Sequence, residues 1–373
     1  MPVIDEDTVR ELASVRFPSA PVTSCYLDVD GSRFISHQDY EQHFAQIVRS
    51  ARVGLNGDHS RSVEDDLLRF ERHVKGGFDR SGVKGLAMFS CSAEGWWQVV
   101  PLPVPVRDQI VVNRSPYVSQ LEWIVQRYER FGVLLVDRQR ARLFVFELGQ
   151  LVDRSELFDQ LPRHDDDGGE WDKDHVQDHV DAIAAAHLRH AAAVALHEFQ
   201  EHGFDHLILG GPDESVARLQ SALHPYLAQR VVARISAPVG AADSEVHHLA
   251  LSVEEEVETR KEADAVLRLR DAVGAGQRGA VGLDAVLELL AEKRVDTLLA
   301  SRGFMIAGWH CELCGRLARM GPRCPTCAGE MVRVADVVEE AIEEALGQSC
   351  RVVICGSSAD LDVLGRIGAI LRF

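Results

Sequence analysis

The chain has 373 residues, which is too long for one compact core and predicts two or three domains of about 100 to 150 residues each. Hydrophobic residues make up 46% and charged residues 26%, proportions that favour folded domains over intrinsic disorder. The 40 basic and 58 acidic side chains give a formal charge of −18, which excludes a protein that coats nucleic acid nonspecifically. A local basic patch and an RNA-bearing partner remain compatible with that charge.

Signals of membrane insertion and of secretion are missing from the sequence. It has no run of 18 or more apolar residues, and its first seven residues are acidic where a secretory signal would be basic and then apolar. Four of the eight cysteines form two C-x-x-C pairs; the others lie in apolar stretches, at Cys25, Cys91, Cys350 and Cys355. This pattern predicts a metal site and buried thiols in a cytoplasmic protein that does not contact a membrane.

The first 125 residues alternate strand-like and helix-like patterns. Strands are predicted over residues 22–29 and 85–90, and helices over residues 39–53 and 63–74. The pair Trp96 and Trp97 then precedes a proline-rich run. Packing in a core or domain contact is the favoured interpretation of the two rings, and stacking on bases is the alternative.

A second α/β unit opens with strands over residues 132–138 and 141–146, which predict a hairpin. A helix over 172–202, a strand over 207–212, a helix ending at 226 and a strand over 231–235 follow. Strands that alternate with helices predict a sheet covered by helices. The glycine pair within residues 209–212 is interpreted as a tight turn; phosphate binding is the alternative, but the Lys and Ser/Thr of a phosphate loop do not follow.

A third α/β unit begins with a charged helix over residues 253–273, which has the opposite-charge i,i+4 pairs of a solvated face. It continues with a helix over 283–291, a strand over 297–300, a cysteine-containing segment, a helix over 337–346 and a strand over 351–354.

The cysteine segment has the spacing C-x2-C-x9-C-x2-C, formed by Cys311, Cys314, Cys324 and Cys327. Each half can fold into a knuckle that offers two thiolates to one zinc ion. Because four thiolates leave no open coordination position, the predicted ion is structural, in a ribbon over residues 309–331. A redox dithiol pair is the alternative, but two such pairs exceed what a redox motif requires.

A second candidate metal set lies further upstream. Asp172, His175 and His179 would share one face of a regular helix. The segment lacks the glutamate that follows the first histidine in zinc protease helices. A solvated polar face is therefore the favoured interpretation, and it extends to His190 and His197.

The order of elements in the last third resembles the last domain of archaeal and eukaryotic class-I peptide-chain release factors. The similar segments are residues 295–301, the cysteine segment, residues 337–346 and 350–356, and the Ile-Leu-Arg-Phe end. Residues 128–140, 207–212, 281–284 and 296–299 are similar to other parts of the family pattern. The resemblance spans most of residues 20–373 and is weakest at the N-terminus.

The resemblance implies a multidomain α/β protein with α/β domains at residues 1–125, 126–245 and 246–373. It implies a first domain like the codon-reading domain, a ribonuclease-H-like middle domain, and a last domain like the kink-turn-binding ribosomal proteins with the zinc ribbon inserted. The family reads stop codons with an Asn-Ile-Lys-Ser loop. Residues 48–63, the corresponding region, contain no such motif, so stop-codon reading is not expected.

The family's catalytic Gly-Gly-Gln loop corresponds to Gly168, Gly169 and Glu170, directly before the long helix. In the family this loop positions water against the peptidyl-tRNA ester. Here glutamate replaces the amide donor, and residues 165–181 contain eight carboxylates against one base, Lys173. RNA phosphates would repel such a surface. The pair at residues 276–277 is a Gly-Gln look-alike in the third domain, in the wrong place for the loop.

Two functions follow from the resemblance. The first is a noncatalytic release-factor mimic that binds the ribosomal A site, with rRNA and tRNA as partners, in hibernation or rescue. An elongation-factor-Tu-type GTPase would deliver it. The second is a peptidyl-tRNA hydrolase in which Glu170 or a neighbouring carboxylate is the general base for water. The acidic loop favours the first.

Overall fold

The computed structural model describes residues 4–17, 20–54, 60–158, 170–274, 278–356 and 358–372. The chain forms a mixed α/β protein with four sheets and two compact units. One unit combines Met1–Gln126 with Arg260–Phe373, and the other is Arg127–Thr259. Among the described helices, none is both long and apolar enough to cross a membrane.

The N-terminal part of the first unit is built on an antiparallel sheet with the order β3-β2-β1-β4. Every residue of β1 and β2 is buried, and α2 and α3 cover one face of the sheet with Tyr40, Phe44 and Phe70. The elements are α1 (Glu6–Ser14), β1 (Val22–Asp28), α2 (His37–Gly54), α3 (Ser60–Gly76), β2 (Gly85–Cys91), β3 (Trp96–Leu102), β4 (Gln109–Asn113) and α4 (Ser119–Arg127).

Strand β3 occupies the segment that the sequence presented as a tryptophan pair and a proline-rich run. Strand β3 is an edge strand, and Pro101 within it pairs with Leu86. An edge strand tolerates a proline because the missing N–H can face the open side of the sheet, where no neighbouring strand would bond to it. The Trp96 ring lies 5.7 Å from the Phe17 ring, and the Trp97 ring lies 5.6 Å from that of Phe70. These contacts favour the packing interpretation of the two rings.

The second unit contains a five-stranded sheet with the order β7-β6-β5-β8-β9. Strands β5, β6 and β7 form an antiparallel meander, which confirms the predicted hairpin, and β8 and β9 run parallel to β5. The elements are β5 (Phe131–Val136), β6 (Arg140–Glu147), β7 (Gln150–Phe158), α5 (Glu170–His202), β8 (His206–Gly210), α6 (Asp213–Ala222), α7 (Pro225–Ala228), β9 (Val231–Ile235) and α8 (Asp243–Gly274), which ends in the first unit.

Helices cover both faces of this sheet. Residues of α5 and α6, such as Leu188 and Leu219, pack on one face, and Val246 and Ala250 of α8 pack on the other. The predicted single helix ending at residue 226 is two helices, α6 and α7. Pro225 causes the break, because the residue before a proline avoids the helical conformation and proline suits the first position of a new helix.

The C-terminal part of the first unit contains a mixed sheet with the order β10-β16-β11-β15, and a smaller ribbon with the order β13-β12-β14. The ribbon is inserted between β11 and α10, and the last residues of the chain form an inner strand, β16. The elements are β10 (Gly279–Val281), α9 (Leu283–Ala291), β11 (Val295–Ser301), β12 (Gly308–Cys311), β13 (Leu317–Ala318), β14 (Met331–Val334), α10 (Val337–Gly347), β15 (Arg351–Cys355), α11 (Ala359–Val363) and β16 (Ile367–Leu371).

Candidate metal centre

The four cysteines of the ribbon lie on two knuckles of the same backbone geometry. In the first, the Gly315 N–H donates to the Cys311 carbonyl at 2.8 Å; in the second, the Ala328 N–H donates to the Cys324 carbonyl at 3.0 Å. Gly315 and Ala328 also share a left-handed conformation, with φ of 74° and 58°. Each knuckle therefore turns its two thiols toward the other knuckle.

The thiol geometry fits one tetrahedral ion. The Sγ atoms of Cys311 and Cys327 are 3.5 Å apart, those of Cys314 and Cys324 are 3.6 Å apart, and all four lie within 4.8 Å of one another. A tetrahedral zinc site with Zn–S bonds of about 2.3 Å requires S–S edges of about 3.8 Å. A disulfide requires about 2.05 Å. The four thiols are thus arranged for a shared metal ion and not for two disulfides.

The thiols also differ in acidity. Burial opposes ionisation of Cys324, but the Cys327 N–H and the neighbouring thiols outweigh it and lower its pKa to about 6. The Arg316 N–H favours the Cys314 thiolate, but burial and hydrogen bonds from the other thiols raise its pKa to about 12. The pKa of Cys311 is lowered in spite of burial, because the Cys314 N–H donates to it. The pKa of one thiol in each knuckle, Cys311 and Cys324, is therefore lowered.

The ribbon is fastened to the rest of its unit at its base. The Val337 N–H at the start of α10 donates to the Ile306 carbonyl at 2.8 Å. Gly308 lies so close to α10 that a Cβ there would be 2.5 Å from Val337. On the other side, Arg319 forms an ion pair with Asp284 of α9 at 2.9 Å. A metal held in the ribbon would therefore rigidify an insertion that touches two helices.

The predicted catalytic loop falls largely outside the described residues. Gly168 and Gly169 lie outside them, and Glu170 is the first residue of α5, with its side chain outside the description. The same holds for the side chains of Asp172 and His175, whereas His179 is exposed on α5. The look-alike pair at residues 276–277 also lies outside the described residues.

The C-terminal end of the acidic stretch at residues 165–181 lies within the described residues and contacts a basic turn. Asp181 on α5 forms an ion pair with Arg138 in the turn between β5 and β6. That turn is itself ordered by Asp137, whose carboxylate accepts from the N–H groups of Gln139 and Arg140, both at 2.7 Å. The polar turn named in the family resemblance therefore neutralises one acidic residue near the start of α5.

The glycine pair after β8 approaches a neighbouring strand closely. A Cβ on Gly211 would lie 1.9 Å from the Val136 carbonyl oxygen, and Gly211 has a φ of 127°. A Cβ on Gly210 would lie 2.5 Å from the Leu135 side chain. Backbone packing accounts for both glycines, which favours the tight-turn interpretation of residues 209–212.

A second group of metal-ligand residue types lies between β7 and α5. The His202 Nε2 atom is 3.4 Å from Asp153 and 3.5 Å from Glu198, and Ser155 donates to Glu198 at 2.8 Å. All three groups are partly exposed, and Glu198 and His202 have the i,i+4 spacing of ordinary helix ion pairs. The arrangement is adequately described as a surface ion-pair cluster.

Residues 116–255 match the family described as bacterial archaeo-eukaryotic release factor family 10. This segment of the chain is similar to a release-factor-like family. It runs from the residues before α4 into α8 and includes the whole five-stranded sheet. No curated protein matches the sequence of the chain.

Several solved structures align with the chain at low identity. An archaeal translation termination factor aligns over 100% of this chain and 99% of its own, at 15% identity and a TM-score of 0.26. A ribosome-bound archaeal Pelota aligns over 75% of this chain and 72% of its own, at 13% identity and a TM-score of 0.41. A translation termination-like factor of S. cerevisiae, involved in RNA quality control pathways, aligns over 79% of this chain and 77% of its own, at 10% identity and a TM-score of 0.43.

Arg142 is a buried structural anchor of the second unit that the sequence alone did not indicate. Its buried guanidinium donates to the carbonyls of Val239 at 2.9 Å and Ala241 at 2.6 Å, and to the Asp243 carboxylate at 2.6 Å. These bonds fix the segment that leads into α8. The only sequence signal was an arginine within the apolar pattern of β6, which resembles an ordinary solvent-facing position.

Proposed function

We propose that this release-factor-like protein binds the ribosomal A site in hibernation or rescue, without reading stop codons. The observation that carries the proposal is the family match over residues 116–255, because this segment contains the sheet, the acidic loop and the long helix α5. The A site is where a protein of this family meets rRNA and tRNA, which are the partners we propose.

The region that corresponds to the codon-reading loop supports a role without codon recognition. Residues 48–54 belong to α2 and residues 60–63 to α3, with residues 55–59 outside the described part of the chain. The sequence of the whole region contains no Asn-Ile-Lys-Ser motif. A protein without that motif lacks the loop with which the family selects stop codons.

The distribution of charge supports docking without catalysis. Residues 127–259 carry 25 acidic and 12 basic side chains, whereas the remainder of the chain carries 33 acidic and 28 basic ones. RNA phosphates repel a strongly acidic surface, most of all at residues 165–181. We therefore infer that contacts to rRNA come mainly from the first unit.

We further propose the finer fold and domain assignments. The order β7-β6-β5-β8-β9, with two antiparallel pairs followed by two parallel ones, supports a ribonuclease-H-like middle domain at residues 126–245. The mixed sheet β10-β16-β11-β15 supports a kink-turn-binding-like last domain at 246–373, and residues 1–125 form the first domain. The four thiols of the ribbon at 309–331 would hold one structural zinc ion.

We also propose an elongation-factor-Tu-type GTPase as a delivery partner and the cytoplasm as the location. Both proposals derive from the family resemblance and from ribosome binding. Pull-down of ribosome-free protein with the GTPase in its GTP-bound and GDP-bound forms tests the first. Equal capture of both forms, or of neither, would contradict it.

Purified, zinc-loaded protein is expected to cosediment with vacant 70S ribosomes and to be displaced by A-site tRNA. The physical reason is that both ligands would occupy the same site. Affinity is expected to fall with salt, because phosphate contacts release counterions. The measurement is sedimentation at several salt concentrations, with and without A-site tRNA. Binding that is unaffected by A-site tRNA, or no binding to vacant ribosomes, would overturn the proposal.

Peptidyl-tRNA hydrolysis is the second candidate, supported by the retained glycine pair before Glu170. We expect the wild type to release no labelled peptide above background from ribosome-bound peptidyl-tRNA, because Glu170 lacks the amide donor. If the wild type does release peptide, Glu170→Ala decides between a general base and contamination. Glu201→Ala, at an exposed position of the same helix, is the matched control.

A further inference from the structure

One face of α10 carries a row of buried acidic side chains. Asp336, Glu339, Glu340 and Glu343 are only 1%, 1%, 5% and 2% exposed. Buried carboxylates are costly unless they are paired or hydrogen-bonded. This face packs against the N-terminal part of the same compact unit. Partners of Glu339 and Glu343 come from residues 115–119 and from Arg16, whereas Asp336 accepts from the N–H groups of Ile306 and Val338.

Glu339 caps a helix of the N-terminal part. Its Oε1 atom accepts from the Val118 N–H and, at 3.0 Å, from the Ser119 N–H, where α4 begins. Its Oε2 atom is buried and has no partner among the described residues. A cavity of about 20 Å³, lined also by Arg107 and Arg302, lies beside it and has room for one water molecule.

Glu343 is held from two directions. The Ser115 hydroxyl donates to its carboxylate at 2.5 Å, and the Arg16 guanidinium, which follows α1, forms an ion pair with it at 2.5 Å. The Glu343 side chain has no exposed surface, whereas that of Arg16 is 40% exposed. One end of this ion pair is therefore buried in the contact and the other reaches solvent.

Glu340 lies between the two and is incompletely bonded. Its Oε1 atom is buried without a hydrogen bond of good geometry among the described residues, and the Asn113 amide beside it favours its ionised form. Arg114 faces the same region and contacts His310 at 2.6 Å.

The buried acids include two like charges that lie close together. Glu343 has the Arg16 guanidinium as its partner, whereas Asp336 and Glu339 accept from backbone N–H groups, and each lies near enough for its charge to act on the other. Closing the contact with Asp336 and Glu339 both ionised would bury two like charges side by side. The remaining titratable or charged groups that face the acids, or line the adjacent cavity, are Tyr26, Tyr117, His310, Arg107 and Arg302.

The pKa values agree with this arrangement of charges. Burial raises the pKa of Glu339 to about 8, and the Asp336 carboxylate acts in the same direction. Burial raises the pKa of Asp336 to about 6. It also raises the pKa of Glu340 and of Glu343, against the opposing effect of Arg16.

We propose that the acidic face of α10 is a proton-operated latch, which holds residues 1–126 against the C-terminal part when it carries protons and releases them when it is fully ionised. Closing takes up at least one proton from solvent, onto Glu339 or its neighbours. Opening returns that proton and lets the Val118 and Ser119 N–H groups bond to water.

The sign of the pH effect follows from linkage. Glu339 has a higher pKa in the closed form than its value of about 4.5 in water, so the closed form binds more protons. The latch is therefore strongest below about pH 4.5 to 5 and weakens as the pH rises toward 8. Each proton taken up changes the opening equilibrium about tenfold per pH unit within this window.

Hydrogen exchange of the full, zinc-loaded chain at the Val118 and Ser119 amides tests the latch. After correction for the intrinsic exchange rate, opening in the wild type is expected to increase about tenfold or more per pH unit between about pH 6 and 8. The Leu209 amide, in the other unit, is the internal reference. An equal increase at Leu209 would assign the effect to general unfolding and overturn the proposal.

Glu339→Gln keeps the size of the side chain and the oxygen that accepts both N–H bonds, but it cannot ionise. The increase in opening per pH unit is therefore expected to be about tenfold smaller in this variant than in the wild type. Glu344→Gln, at an exposed position of the same helix, is the matched control and should keep the wild-type slope. If Glu339→Gln and Glu344→Gln both kept the wild-type pH dependence of opening, the proposal would be wrong.

A second variant provides a test that does not depend on whether Glu339→Gln folds. Asp336 caps α10 by accepting from the Val338 N–H at 3.0 Å, and asparagine caps helices equally well. Asp336→Asn removes the like charge beside Glu339. The upper end of the pH window is therefore expected to move to lower pH. An unchanged upper end would contradict the role of Glu339.

Discussion

Cys324→Ser is expected to abolish stoichiometric zinc binding and to unfold the ribbon, while the other three sheets remain folded. Serine does not ionise near neutral pH, so it cannot replace a thiolate ligand. Apparent free energies of structural zinc binding are about 10–16 kcal/mol in small zinc domains, so three ligands should not keep the ribbon ordered. The measurements are zinc content by mass spectrometry and hydrogen exchange at the Trp309 amide, which lies on β12.

Cys350→Ser is the matched control for the zinc prediction. Cys350 is buried, lies outside the ribbon, and contacts the Val295 carbonyl at 3.2 Å, a bond that a serine hydroxyl can also make. This variant should bind one zinc ion per chain, as the wild type does. Retention of one zinc ion by Cys324→Ser would contradict a four-thiolate site. A wild type that contains disulfides instead of metal would favour the redox alternative.

Features of this protein that depend on neighbouring residues could be predicted from its sequence. The C-x-x-C knuckles, the β5–β6 hairpin and α10 need only local patterns, and the structure contains all three. Strand β7 was missed because four consecutive polar residues, Asp153–Glu156, interrupt its apolar pattern, and such a run is more typical of a loop. Strand β3 was missed because Pro101, at the start of a proline-rich run, suggested a break, although an edge position tolerates a proline.

The acidic face of α10 could not be predicted, because its partners are far away in the chain. Arg16 and Glu343 are 327 positions apart, and Ser115 and Glu343 are 228 apart. In a helix such as α10, four acidic residues among six apolar ones indicate a solvated stripe. Only the tertiary contact with residues 113–119 shows that this stripe is buried. The carbonyl partners of Arg142, which lie near α8, are also far away in the chain. For that reason the sequence pattern of Arg142 resembles that of a surface residue.

Gly211→Ala is expected to destabilise the second unit by about 3 kcal/mol or more. The new Cβ would lie 1.9 Å from the Val136 carbonyl oxygen, so strands β5 and β8 would have to separate. The φ of 127° adds backbone strain of about 1–3 kcal/mol for any residue other than glycine. The measurement is the denaturant dependence of hydrogen exchange at amides of β5 and β8, which reports this unit separately.

Gly240→Ala is the matched control for Gly211→Ala. Gly240 lies in the same unit, its Cβ would meet no atom within 4 Å, and its backbone is not left-handed. An alanine there should change the stability by less than about 1 kcal/mol, because only the freedom of the unfolded chain is reduced. Titration of the wild type with inorganic phosphate separates the two interpretations of residues 209–212. A tight turn predicts no binding of inorganic phosphate by the wild type, whereas a phosphate site predicts binding that Gly240→Ala retains and Gly211→Ala weakens.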